Sequence, residues 1–193
     1  MAYIRDIRES EAAGELAELY KRVGNPDGTV DNVMKVHALN VDSLRTHFEM
    51  YAAAMHNPSP LTRAEREMVA TDVSRLNGCA YCVAHHIRGL KRLLPADRRD
   101  VVDALREGRL DPLNDRERAM VLYGRKLTTS PPQMNEDDVK ALRDVGLDDR
   151  AILDLAQCIG YFNYVNRIVT GLGVQLSEDE GAAGQWPASN VSD

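Results

Sequence analysis

Three observations predict an all-α fold for this chain. Its long segments are rich in Ala, Leu, Arg and Glu, which favour helix, while aromatic residues make up only 5%. Apolar residues recur at intervals of three and four, and no stretch alternates with the two-residue period of a strand. Gly, Pro and Asn clusters divide the chain into helix-length pieces.

The first helix is expected from about Ser10 to Val23, with Ala13, Leu16, Ala17, Leu19, Tyr20 and Val23 on one side. Asn25-Pro26-Asp27-Gly28 breaks it. A second stretch, Val33 to Leu39, leads to a third from about Asp42 to Met55, which Asn57-Pro58-Ser59-Pro60 stops. Thr62 then reads as an N-cap with Glu65 three residues on, a capping box. The helix it opens ends near Asn77-Gly78, where glycine tolerates the left-handed conformation of a helix end. Cys79 to Leu94 forms the next helix, stopped by Pro95. Three more are expected at Asp97 to Glu107, Asp115 to Leu127 and Glu136 to Val145, the last capped by Asn135 and ended by Gly146. A long final helix spans about Asp149 to Leu172. A faint internal echo relates Leu61–Asn77 to Leu147–Asn163, each followed by helical sequence ending in Gly-Leu (Gly89-Leu90 and Gly171-Leu172).

With 193 residues, of which 44% are apolar and 28% charged, the chain is long enough for a sizeable core. We expect an N-terminal helical arm over residues 1–29, a helical domain over 30–176 and a tail over 177–193. The tail is acidic and then Gly/Ala/Ser-rich, and is expected to be disordered or to pack on a neighbouring subunit. The formal charge is −6 and the 24 basic residues are scattered, which disfavours nucleic acid and membrane surfaces as partners. Arg5, Asp6, Arg8 and Glu9 stand where a secretory signal would be apolar. Asp154, Gln157, Asn163, Asn166 and Arg167 interrupt the greasiest segment, so no membrane span is expected. The expected location is the cytoplasm, where structural disulfides are rare.

Of the three cysteines, two are spaced for redox or metal chemistry. Cys79 and Cys82, three apart at a helix start, share a face within disulfide reach. His86 follows Cys82 by four residues and Cys79 by seven, on that same face, and His85 borders it. A helix N-terminus and an adjacent histidine both lower a thiol's pKa, and the thiolate is the reactive form. The partner cysteine then resolves an oxidised sulfur as a disulfide. Glu67 lies on the preceding helix and reaches the histidine or thiol if the two helices pack as a hairpin about Gly78. Zinc competes for these residue types, but its ligands normally come from two separated segments. Cys79, Cys82, His85 and His86 belong to one short run and cannot all converge, so a metal is not expected. Tyr81, His85, Asn163 and Asn166 are candidate pocket residues, the asparagines being polar groups on an otherwise apolar helix. Cys158 reads as a buried small hydrophobe. His37, His47 and His56 have no evident partner in the sequence.

The run Glu67-x11-Cys79-x-x-Cys82-x3-His86 resembles the core motif of the AhpD-like, carboxymuconolactone-decarboxylase superfamily. From Asn32 through LTRAERE to FNYVNRIVTGLGV the chain is similar to its peroxidase-related branch, over about residues 30 to 175. The resemblance implies an oligomeric AhpD-like helical bundle, as a dimer, trimer or hexamer. It implies a peroxidase in which a hydroperoxide oxidises Cys82, Cys79 supplies a proton and closes the disulfide, and Glu67 with His86 forms the relay. The partners it implies are a dithiol reductant of lipoyl or thioredoxin type and a peroxiredoxin, with no haem, flavin or nicotinamide. One position departs: Tyr81 stands where the best-known members carry histidine between the cysteines, and tyrosine (reference pKa about 10) passes protons less readily near neutral pH. Three functional classes follow: a thiol peroxidase, a thiol–disulfide oxidoreductase feeding a partner, and a non-enzymatic redox-sensing oligomer.

Overall fold

A computed structural model describes residues 2–176; the expected tail, 177–193, lies outside the described residues. Every regular element among them is helical: α1 (Glu15–Val23), α2 (Asn32–Lys35), α3 (Val41–Met55), α4 (Arg63–Leu76), α5 (Ala80–Leu93), α6 (Asp100–Glu107), α7 (Asp115–Thr129), α8 (Glu136–Asp144) and α9 (Asp149–Gly171). The all-α expectation therefore holds for the described residues. None of the helices is long and apolar enough to cross a membrane. The described residues divide into two compact units, one of residues 2–53 and 168–176, the other of residues 54–167.

In the first unit Leu16, Leu19, Tyr20 and Val23 of α1 pack with Val30, Met34, Leu44 and Phe48. The expected arm, residues 1–29, belongs to this unit together with residues 30–53. Its helix starts later than the sequence suggested. A single 3-10 turn, Glu9–Glu11, is followed by Gly14 at φ +57°, and α1 begins only at Glu15. The stretch expected from Val33 to Leu39 is α-helical only as far as Lys35. Beyond it the amides of His37 and Ala38 bond to carbonyls three residues back, which tightens the chain into turns. His37 and His47 stack with ring centroids 4.2 Å apart, so two histidines without evident partners have each other.

The second unit is organised around α4. Every residue from Glu65 to Ser74 is buried, on all sides of the helix. Four of those ten are charged, and each has a partner. Glu65 takes Arg116 at 2.7 Å, Arg66 donates to the Asn57 carbonyl, Glu67 meets His86, and Asp72 takes Arg75 and Arg125. Desolvation of unpaired charges would cost several kcal/mol each, so these pairs are a condition of the helix being central. Thr62 and Glu65 form the expected capping box. Helices α5, α6 and α7 pack against α4. The helix expected over Asp97 to Glu107 is a 3-10 turn, Ala96–Arg98, and then α6. The echo pairs unlike structures: its first copy bends at Gly78 into α5, whereas its second runs unbroken as α9.

Candidate active site

The site grows out of the α4–α5 turn. Asn77 closes α4, and Gly78 takes φ +69°, a conformation that favours glycine. Cys79 is the N-cap of α5, and its sulfur accepts from the Cys82 backbone N–H at 3.4 Å. That contact and the helix dipole stabilise negative charge on Cys79 sulfur when the pair is reduced. Here Cys79 and Cys82 are joined as a disulfide, with Cα atoms 5.4 Å apart. Both are buried, at 2% and 4% exposure.

The turn is tied down by a polar network. The Asn77 amide donates to the Asn163 side chain at 3.2 Å and to that of Asn166 at 3.0 Å. Asn166 donates in turn to Ser74 at 3.1 Å, and Asn163 to Thr128 at 3.0 Å. The two candidate pocket asparagines thus hold the turn that delivers Cys79. The two asparagines of the sequence echo, Asn77 and Asn163, are themselves hydrogen-bonded.

Glu67, 4% exposed on α4, faces α5, and its Oε2 lies 2.6 Å from His86 Nδ1. Its other oxygen, Oε1, accepts from Arg63 at 3.2 Å. The hairpin thus brings together the carboxylate and imidazole that spacing alone leaves apart. The His86 ring meets Phe162 edge to face, centroids 4.6 Å apart, which fixes its plane. With Nδ1 engaged by Glu67, Nε2 is the ring nitrogen left for other partners. His85 lies instead against Tyr81, with ring planes tilted by 31° and centroids 4.6 Å apart.

Arg63 and His56 extend this cluster beyond what the sequence suggested. Arg63 donates to His56 Nδ1, so that nitrogen is an acceptor and the His56 proton resides on Nε2. Burial, with the charges of Arg63 and Arg66 behind it, lowers the His56 pKa to about 3. Arg63 was legible four residues before Glu67 on one helix face; His56 and Phe162 come from outside that helix and left no such signal. Cys158 is fully buried against Met55, and burial pushes its thiol up to about 12, so it is an inert thiol. Among the described residues no three His, Cys, Asp or Glu side chains gather as metal ligands would.

The carboxymuconolactone decarboxylase family model matches residues 42–125, which span the whole α4–α5 hairpin. The fold is similar to the crystal structure of an alkylhydroperoxidase AhpD core, an uncharacterized peroxidase-related protein from Ralstonia eutropha JMP134. The TM-score is 0.84 at 26% identity, over 96% of this chain and 97% of that one. An uncharacterized peroxidase-related protein from Silicibacter sp. TM1040 is 30% identical, with TM-score 0.78 over 89% of each chain. The debrominase Bmp8 shares the fold at TM-score 0.75 and 19% identity, over 93% of this chain and 94% of that one. No curated protein matches the sequence.

Proposed function

The chain belongs to the AhpD-like carboxymuconolactone decarboxylase superfamily, and from that premise we propose that it is a thiol-dependent peroxidase. The observation that carries the reading is the 2.6 Å contact between Glu67 and His86, one helical turn past a closed Cys79–Cys82 pair. In the reduced enzyme His86 takes the Cys82 proton through Nε2, and Glu67 stabilises the imidazolium that results. The Cys82 thiolate attacks the peroxide, breaking the O–O bond; the alkoxide leaves with a proton as alcohol, and Cys82 becomes a sulfenic acid. Cys79 then attacks the Cys82 sulfur, water departs, and the disulfide forms. Each turnover consumes two electrons, returned by exchange with an external dithiol of lipoyl or thioredoxin type.

Burial of both sulfurs supports a small hydroperoxide as the oxidant. The same reading includes a homo-oligomer at work in the cytoplasm. Exposed Leu122 and Leu153 support the oligomer as apolar surface available for subunit contact. Cys79 as N-cap with Tyr81 between the cysteines favours the second reading, a thiol–disulfide oxidoreductase whose Cys79 serves a partner.

The test is a stopped-flow titration of reduced protein with cumene hydroperoxide and hydrogen peroxide, with the disulfide mapped by mass spectrometry. The peroxidase reading expects loss of two thiols per chain, a Cys79–Cys82 bridge, and failure of Cys82→Ser. Reaction no faster than with free cysteine, beside ready exchange with dihydrolipoamide, would leave the electron carrier standing.

A further inference from the structure

Gly89 sits within α5, three residues after His86 and therefore on the same side of the helix. A glycine within a helix costs about 1 kcal/mol relative to alanine. Its backbone does not require it, because Gly89 is not among the glycines with positive φ. What requires it is the neighbour across the hairpin. A Cβ on residue 89 would stand 2.9 Å from Glu67 Cδ, 3.0 Å from Oε1 and 3.1 Å from Oε2. Unbonded carbon atoms prefer about 3.5–4.0 Å, so the whole carboxylate occupies the space an alanine methyl would need.

The carboxylate has no free direction of retreat. Arg63 holds Oε1, His86 holds Oε2, and the residue is buried. Any side chain at 89 therefore pushes Glu67 off His86, or pushes α5 away and carries His86 with it. Both outcomes lengthen the same 2.6 Å contact. Gly124 on α7 provides the contrast. It too is a helical glycine, and a buried one, but a Cβ there would meet Ile159 at 3.5 Å, an ordinary contact.

We infer that Gly89 is a positioning residue of the relay, its missing side chain being what admits the Glu67 carboxylate to His86. The inference rests on the peroxidase reading for its kinetic consequence, and on geometry alone for its structural one. The experiment is a double-mutant cycle of wild type, Gly89→Ala, Glu67→Ala and the double variant, with Gly124→Ala as control. Peroxide-dependent thiol oxidation is followed against pH, and the His86 imidazole by 15N NMR. Gly89→Ala should slow oxidation about 100-fold, the scale of a misplaced catalytic contact, and shift the His86 Nδ1 signal. Its pH profile should coincide with that of Glu67→Ala, on which it adds less than twofold, while Gly124→Ala matches wild type.

A Gly89→Ala rate within twofold of wild type with an unchanged Nδ1 signal overturns the inference. So does an equal loss on the Glu67→Ala background. If Gly89→Ala fails to fold while the double variant folds, the clash lies at the carboxylate and the inference stands. If neither folds, the glycine serves packing independent of Glu67 and the inference falls. Should wild type itself react no faster than free cysteine, the peroxidase reading fails separately, and the Nδ1 signal still decides the role of Gly89.

Discussion

Glu67 and Asp72 lie five residues apart on α4, are buried to 4% and 1% exposure, and differ in what stands opposite them. Asp72 accepts from two arginines: Arg75 reaches Oδ1, and Arg125 reaches both oxygens at 2.8–2.9 Å. Arg125 also donates to the Gly108 carbonyl, tying the end of α6 to α4. Arginine does not release its proton in proteins, so neither cation of this cluster can pass one on. Glu67 has one arginine and one histidine, and an imidazole, unlike a guanidinium, can both accept and donate a proton. Burial and ion pairing are common to both sites. What separates a fastening from a candidate proton relay is whether the partner side chain can give up a proton.

The comparison predicts opposite responses to similar substitutions. Asp72→Asn leaves the half-buried Arg75 and Arg125 with their countercharge gone, and should cost about 2–3 kcal/mol in denaturant unfolding. The same variant, where folded, should keep its peroxide-dependent thiol loss within a few fold of wild type; a hundredfold loss would erase the distinction between the clusters. Glu67→Gln should do the reverse. Oxidation of Cys82 should slow by about 100-fold or more, the usual share of a general acid–base partner, with under ~2 kcal/mol lost in stability. If Glu67→Gln unfolds the protein while leaving Cys82 reactive, Glu67 is the fastening.

Acid sensitivity sharpens the contrast, because only the Glu67 cluster contains histidine. His56 has its pKa lowered to about 3 by burial, against about 6.5 when unfolded. Between those values the unfolded state binds the extra proton. The contribution is therefore complete above pH 6.5 and is lost as pH falls toward 3, at up to about 1.4 kcal/mol per pH unit. His47, at 2% exposure in the other unit, is shifted to about 3 as well, by burial and then by His37. Replacing His56 by Gln should therefore lower this slope by up to about 1.4 kcal/mol per pH unit in unfolding curves taken from pH 7 to 4, leaving the share of His47 and of His37, whose pKa burial lowers too. An unchanged slope would mean that His56 is reached by water. The smallest effect is expected at Cys158→Ala: about 1 kcal/mol of stability, with peroxide-dependent thiol loss still two per chain.

Much of this site was legible in the sequence. The capping box Thr62–Glu65, the left-handed Gly78 and the phase of Cys79, Cys82 and His86 on α5 are all present in the structure as read. Three helix starts or ends were misplaced, and each error has a local cause. Gly14 delays α1, α2 tightens into turns after Lys35, and a 3-10 turn precedes α6. The polar face of α4 misleads most. Glu65, Arg66, Glu67 and Asp72 look like a solvated surface, yet all four are buried. Asn163 and Asn166 read as candidate pocket residues, and their amides hold the turn before Cys79.

By itself the sequence determined the helical class, most helix limits, and the placing of two cysteines and a histidine on one helical face. Those features depend on interactions within four or five residues: capping, helical periodicity and the conformational freedom of glycine. Only the tertiary structure decided that Glu67 meets His86 while Asp72 meets two arginines, and that Gly89 must lack a side chain. Both carboxylates carry the same charge on the same helix. Their roles diverge because different helices pack across α4 at each point, and that depends on residues far away in the chain.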